Sequence, residues 1–485
     1  MFLPTTRQEL EALGWEHLDV ILVTGDTYID NLFIGVGLIG KVLWQAGYRV
    51  GVIAQPDVHS DRDIRRLGEP ALFWGVSGGC MDSMVANYTA TQRKKKRDDL
   101  TPGGRNDRRP DRAAIVYTNL IKRYFPSAGS GRGKNTQPIV LGGVEASLRR
   151  VAHYDFWSDR VRRSILFDAK ADLLVYGMGE KTVVELARCL AAGKDVQDVR
   201  GLCYISREKP DGYIELPAYQ TVKQDKHAFI DMFHTFYRHN DPLTAQGLCQ
   251  QQDTRYLVQN PPASYLTQEE LDAVYDMDFE RDLHPFYRRQ GAVKALETIR
   301  FSLPTHRGCY GECNFCAIAV HQGRTVRWRS QASILAEARR MTQYPDFKGY
   351  LYDVSGPTAN MYGFECHKKT QHGSCPDKRC LYPQVCPQLP VDHHRQIELL
   401  KALSEIEGVK KVFVASGVRY DLLLADERHG RRYLEQVVQH HVSGQMKVAP
   451  EHTQDRVLEK MGKPGAESLL TFKDLFYELT REAGK

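Results

Sequence analysis

Three closely spaced cysteines place the strongest constraint on this chain of 485 residues. Cys309, Cys313 and Cys316 form a C-x3-C-x2-C pattern, and seven of the eleven cysteines fall between residues 309 and 386. Clustered cysteines in a reducing cytosol are more often metal ligands or catalytic groups than disulfides. Three thiolates on one loop can hold three irons of a cubane, whereas structural zinc prefers four ligands from paired C-x2-4-C units. The pattern therefore predicts a [4Fe-4S] cluster with one open iron.

Short apolar runs alternate with segments of helical periodicity along most of the chain, which is typical of an α/β fold. Residues 1–205 are predicted to form a Rossmann-like domain with a mostly parallel sheet, and residues 206–295 a connector. The predicted strands of this first domain are residues 17–24, 49–54, 113–117, 138–141 and 172–176.

Residues 296–485 repeat a strand–helix unit four times, which indicates part of a (β/α) barrel. The predicted strands are residues 298–303, 348–353, 411–415 and 445–449, and the predicted helices are residues 331–342, 394–407, 431–442 and 466–482. Barrel active sites lie at the carboxyl ends of the strands. Polar residues follow every predicted strand here, and although each alone is compatible with a helix cap or a buried ion pair, together they favour a site.

Six segments together resemble the YgiQ family of radical S-adenosylmethionine (SAM) proteins, and the likeness covers nearly the whole chain. They read RPDRAAIVYTNLIKR, VLGGVEASLRRVAHYDFWSDRVRRSILFDAKADLLVYGMGE, YLVQNPPA, DVSGPTANMYG, VASGVRYDLLL and MKVAPEHT. The resemblance implies a [4Fe-4S] cluster and SAM, cleaved to methionine and a 5′-deoxyadenosyl radical that acts on an unknown substrate. It also implies an electron donor of the flavodoxin or ferredoxin type. The implied SAM contacts are Phe315, Ser355, Gly356, Ser416, Arg419 and Glu451.

The N-terminal domain of this family is similar to cobalamin-binding domains, but the sequence predicts no cobalamin here. A base-off cobalamin site requires the histidine of a D-x-H-x-x-G motif, and the segment from Asp30 to Gly35 has none. The glycines at 35, 37 and 40 match a dinucleotide fingerprint by letter. They lie about ten residues beyond the predicted strand, so we interpret them as close helix packing rather than an NAD site.

A second cysteine group lies in a predicted insertion at residues 363–390. Cys366, Cys375, Cys380 and Cys386 fall among glycines and prolines with few apolar residues, so a bound metal could replace a core of their own. An auxiliary iron–sulfur cluster, a zinc site and ordinary thiols all remain open.

Composition and charge limit the classes of function that fit this chain. The formal charge of +6 is mild, and the sequence shows neither a long apolar run nor a signal peptide, so we expect a cytoplasmic protein without a membrane partner. The alternative function is a zinc-stabilised RNA-binding or scaffold protein that uses the basic loop at residues 93–112.

The barrel is expected to be incomplete. Since four strand–helix units fill the chain to Lys485 and a radical SAM core resembles a six-stranded partial barrel, the last two strands are expected beyond that residue. We expect a fragment of a longer protein, or a chain completed by a separately encoded partner, with poor SAM cleavage and a tendency to aggregate.

Overall fold

The computed structural model describes residues 1–126, 137–442 and 444–485. These residues form two compact units. The first contains Met1–Ser264 and Asp278–Glu297, and the second contains Tyr265–Met277 and Thr298–Lys485. Within the described part of the chain, none of the helices combines the length and the hydropathy needed to traverse a lipid bilayer.

A nine-stranded sheet organises the first unit. Its strands are β1 (Val20–Thr24), β2 (Val50–Ala54), β3 (Phe73–Ser77), β4 (Ile139–Gly142), β5 (Leu173–Val175), β6 (Leu202–Ser206), β7 (Ile214–Leu216), β8 (Leu248–Gln252) and β9 (Arg255–Gln259). The order across the sheet is β7-β8-β9-β6-β5-β4-β3-β1-β2. The half from β5 to β2 is parallel throughout, which confirms the predicted Rossmann-like α/β class. β6 and β9 are antiparallel to their neighbours and extend the sheet.

The sequence analysis and the structure differ at several places in this unit, and β6 is one of the strands that were not predicted. The apolar run 113–117 begins the helix Ala113–Tyr124, because its buried residues continue with helical spacing through Ile121. The strand β3 was not predicted, since its apolar run is short and is interrupted by Gly75. Residues predicted as a connector supply β7, β8 and β9, which pair with the sheet through residues distant in sequence.

The first unit also contains helices, several of which pack on its sheet. Apart from Ala113–Tyr124, they are Arg7–Ala12, Gly35–Gln45, Ser83–Asn87, Gly143–Leu148, Ile165–Ala169, Glu180–Ala191, Tyr219–Gln224, Lys226–Arg238 and Pro285–Arg288. A Cβ atom at Gly40 would lie 2.4 Å from a methyl of Leu3. Gly40 therefore allows the close helix packing that the sequence analysis inferred.

The second unit contains short strands between helices, and most of them pair in parallel. Its strands are β10 (Leu303–Pro304), β11 (His306–Arg307), β12 (Arg327–Trp328), β13 (Tyr350–Leu351), β14 (Val354–Ser355) and β15 (Lys411–Val412). β10 pairs in parallel with β14 and β13 with β15, and a parallel bridge joins Val418 to Val448. Two of the predicted strands are much shorter than expected: residues 295–299 form the helix Ala295–Ile299, so the first strand begins at Leu303, and only Val448 of residues 445–449 forms a bridge. The four predicted segments still pair in chain order, as a partial (β/α) barrel requires.

The helices of this unit include the four predicted ones. They are Gln268–Asp276, Ile318–His321, Gln331–Thr342, His367–His372, His394–Ser404, Tyr420–Ala425, Gly430–Gln436, Asp455–Met461 and Ala466–Glu482, and Val437–His441 continues as a π-helix. Leu303, Leu351, Leu400 and Val412 lie in one buried core between these helices and the strands. This core fixes the carboxyl ends of the strands, where the candidate site lies.

Candidate functional site

The cluster loop lies between β11 and β12, which pair antiparallel and hold its two ends together. The backbone N–H of Gly311 donates to the Cys309 sulfur at 3.3 Å, and that of Cys316 donates to the Cys313 carbonyl at 3.0 Å. A Cβ atom at Gly311 would lie 3.2 Å from the Cys309 sulfur and 3.5 Å from the Cys313 sulfur. The absence of a side chain at Gly311 therefore leaves space beside the sulfurs of Cys309 and Cys313, and the loop can fold closely around them.

The three thiols interact electrostatically with one another. Burial raises the pKa of Cys309 and of Cys316, and a negative charge on Cys313 raises both further. Such thiols are protonated near neutral pH unless a cation compensates the thiolate charge. Metal ions supply this compensation and displace the protons, so the donor set fits an iron–sulfur cluster.

Arg419 lies beside the cluster loop and is 5% exposed. Its guanidinium donates to the Asp421 carboxylate at 2.8 Å, and Nη1 lies 3.6 Å from the Cys313 sulfur. The backbone N–H of Arg419 donates to Asn360, also buried. The structure thus brings the predicted residue Arg419 to the cysteine loop, more than a hundred residues away in sequence.

Asp353 joins two of the predicted contacts. Its carboxylate accepts hydrogen bonds from the hydroxyls of Ser355 and Ser416, the first at 2.8 Å. It also accepts from the backbone N–H groups of Ala415 and Ser416, at 2.8 and 3.2 Å. The ends of the second and third barrel strands are therefore held together by one carboxylate, which the sequence analysis quoted in its motif without assigning a role.

His306 packs beneath the predicted contact Gly356. The imidazole is 2% exposed, and its Nδ1 lies 2.8 Å from the Thr305 hydroxyl. Burial lowers the pKa of His306 to about 3, so the ring is neutral near pH 7. The hydroxyl of Thr358, two residues after Gly356, lies 3.5 Å from the Cys309 sulfur. The strand end at 355–358 is thus packed between this histidine and the cluster loop.

Replacing Gly356 with Ala should destabilise the second unit by about 1–3 kcal/mol. The new Cβ would lie 2.5 Å from two atoms of the His306 ring, and either the ring or the strand end must move. Denaturant unfolding measures the change. Gly417→Ala is the matched control, since its Cβ would lie 3.6 Å from Ala449, an ordinary contact. Equal stability of the two variants would contradict this packing.

The other two predicted contacts are solvent-accessible. Phe315 is 53% exposed on the cluster loop. Glu451 is exposed and adopts a left-handed backbone conformation with φ 68°. The charge of Glu451 acts on Tyr420 and Lys463, so this carboxylate lies on the same side of the unit as Arg419.

A buried ion triad under the cluster loop was not predicted. The Glu312 carboxylate accepts from Arg324 at 2.7 Å and from Lys369 at 3.2 Å, and the three side chains are at most 3% exposed. Lys369 also donates to the Arg324 carbonyl at 2.7 Å. The triad joins the cluster loop to the cysteine-rich insertion. The members of the triad are far apart in sequence, and only Glu312 lies within the cysteine motif.

The second cysteine group is partly buried. Cys366 and Cys380 lie in a shared apolar core with Tyr310, and burial raises the pKa of Cys380 to about 11. Among the described residues, no three of the four thiols in this group lie within 4.8 Å of one another. A single zinc ion with bonds of about 2.3 Å requires closer sulfurs. The metal interpretations of this group stay predictions.

Comparisons with known proteins show the family of this chain. Residues 2–302 match the family model described as Radical SAM N-terminal. UPF0313 proteins of Fusobacterium nucleatum and Thermotoga petrophila are 54% and 50% identical, and each alignment covers 100% of this chain and 84% of the relative. The solved structure of OxsB, a cobalamin-dependent S-adenosylmethionine radical enzyme, is similar with a TM-score of 0.50 and 13% identity. That match covers 96% of this chain and 48% of OxsB, and shows the fold alone.

Proposed function

This chain belongs to the radical SAM family described by the Radical SAM N-terminal model and represented by its UPF0313 relatives, and on that premise we propose that it is a radical SAM enzyme. The observation that carries the proposal is the meeting of Cys309, Cys313 and Cys316 with Arg419 beside the carboxyl ends of the barrel strands. The substrate stays open, because substrate contacts of barrels come from variable loops.

Cys309, Cys313 and Cys316 would hold the cluster, and the implied contacts from the strand ends would hold SAM. When bound and reduced, the cluster would supply the electron that cleaves SAM to methionine and a 5′-deoxyadenosyl radical. The electron comes from a flavodoxin- or ferredoxin-type donor in this proposal.

The side chains around the cysteines have separate tasks in the proposal. Arg419 places a fixed positive charge against the Cys313 sulfur, at the edge of the cluster loop. Asp353 orients Ser355 and Ser416 at the strand ends. Phe315 offers an exposed aromatic face for the adenine ring.

Anaerobic reconstitution tests the proposal. Protein reconstituted with iron and sulfide should bind about four irons on the cluster loop. After reduction in the presence of SAM it should form 5′-deoxyadenosine, which chromatography detects. A colourless protein that binds zinc and forms no 5′-deoxyadenosine would contradict the proposal and favour the zinc-stabilised scaffold.

The proposal includes no cobalamin in the first unit, because side chains and turns of the chain itself occupy the carboxyl edge of its parallel strands. Ligands of open parallel sheets bind in the crevice at this edge. Arg109, 3% exposed, donates there to the Gly25 carbonyl at 3.1 Å and lies 3.1 Å from the Asp98 carboxylate. A Cβ at Gly25 would lie 2.2 Å from the Gly78 carbonyl oxygen, so the turns after β1 and β3 touch.

The segment that would carry the cobalamin motif has a different contact. Asp30 is buried and forms an ion pair with Lys41 at 3.1 Å. Titrating the purified protein with aquacobalamin should therefore give no saturable change in the visible spectrum. Stoichiometric binding with a shifted spectrum would show that the Arg109 segment opens, and would contradict this part of the proposal.

A further inference from the structure

Lys463 is a buried lysine beside the cluster loop. Lys463 is 5% exposed, and its ammonium donates a hydrogen bond to the Ala449 carbonyl. The turn before it closes the helix Asp455–Met461 with Gly462 in the left-handed conformation, φ 66°. Lysine is rarely buried to this extent without a charged partner.

The position of Lys463 is fixed by the cluster loop. The backbone N–H of Asn314, between Cys313 and Cys316, donates to the Met461 carbonyl at 3.0 Å. The Asn314 side-chain amide donates to the Lys460 carbonyl at 2.7 Å. The turn that carries Lys463 is therefore attached directly to the loop that carries the cysteines.

The charges around Lys463 leave its ammonium without a paired carboxylate. Asp421 already pairs with Arg419 through two hydrogen bonds. The negative charges of Cys313, Glu451 and Asp421 act on Lys463 electrostatically, but among the described residues no carboxylate forms an ion pair with this lysine. Burial lowers the pKa of Lys463, and the guanidinium of Arg419 lowers it further. A buried cation of this kind is stable only when an anion compensates it.

We infer that Lys463 binds the carboxylate of the methionine part of SAM, as a second cation next to Arg419. The inference rests on the proposed function and adds a binding residue to it. A carboxylate here would face two buried cations, Arg419 and Lys463, beside one buried carboxylate, that of Asp421. The anion could instead be the cluster with its thiolates, and the experiment below separates the two sources.

The test compares SAM with decarboxylated SAM, which lacks only the carboxylate. Binding of each to the reconstituted protein is measured by equilibrium dialysis. Lys463→Met should weaken SAM binding about 10- to 100-fold, since the carboxylate then loses its charged partner. Binding of decarboxylated SAM should change little, and Lys463→Arg should restore most of the affinity for SAM. Lys460→Met is the matched control, because Lys460 is exposed on the adjacent helix end and its substitution should leave both affinities unchanged.

Three outcomes overturn the inference. One is an unchanged SAM affinity in Lys463→Met with the cluster intact. Another is an equal loss for both ligands. The third is a changed midpoint potential of the cluster with preserved discrimination between the ligands, which would assign Lys463 to the cluster. If Lys463→Met does not fold, Lys463→Gln, which keeps a polar N–H donor but no charge, gives the same comparison. A wild-type protein that holds no cluster would instead overturn the proposed function, and iron analysis distinguishes that case.

Discussion

Replacing Cys309, Cys313 or Cys316 with Ala is expected to lower 5′-deoxyadenosine formation by at least about a thousandfold. Each thiolate in the proposed site is the single protein ligand of one iron, so its removal takes away the redox centre and does not merely weaken it. The iron content of each variant and its rate of SAM cleavage measure the effect.

The control for these variants is Cys189→Ala. Cys189 is a partly exposed thiol on the helix Glu180–Ala191 of the first unit. Its removal should leave iron content and SAM cleavage near the wild-type values. Cleavage that survives in all three loop variants would show that the C-x3-C-x2-C loop does not hold the cluster.

Glu312→Gln is expected to lower the free energy of unfolding by about 3–5 kcal/mol, because Arg324 and Lys369 then stay buried without their shared carboxylate. The substitution nearly preserves the shape of the side chain, so the effect reports the lost charge. Since the triad joins the cluster loop to the insertion, iron uptake should fall as well. Denaturant unfolding and iron analysis of the same preparations measure both changes.

Glu365→Gln is the matched control for the triad. Its carboxylate is 43% exposed and lies 3.7 Å from Arg327. Exposed pairs of this kind contribute between about 0 and 1 kcal/mol. A Glu312 variant that is as stable as the Glu365 variant would show that the triad does not stabilise the cluster loop.

The features that could be predicted from the sequence are those that depend on the spacing of nearby residues. The cysteine pattern, the four barrel units and four of the five strands in the parallel half of the first sheet have signals within a few residues. Ser355, Ser416 and Arg419 were predicted from their places after strands, because barrel geometry brings strand ends together whatever the loops do.

Other features depend on contacts between distant residues, which a single sequence does not show. In the sequence, Asp353 is only one residue of a strand-end motif. Its carboxylate accepts a hydrogen bond from Ser416, which is 63 positions away. Lys463 lies in an ordinary helix-ending turn and has no motif of its own. The helix at residues 113–124 was predicted in part as a strand because a five-residue apolar run fits either element.

The most direct measurement of the central claim is electron paramagnetic resonance of the reduced, reconstituted protein with and without SAM. The account predicts the signal of a reduced [4Fe-4S] cluster and a change in that signal when SAM binds the open iron. It also predicts that Cys309→Ala lacks this signal. A cluster signal that SAM leaves unchanged, or a protein that takes up zinc in place of iron, would contradict the account.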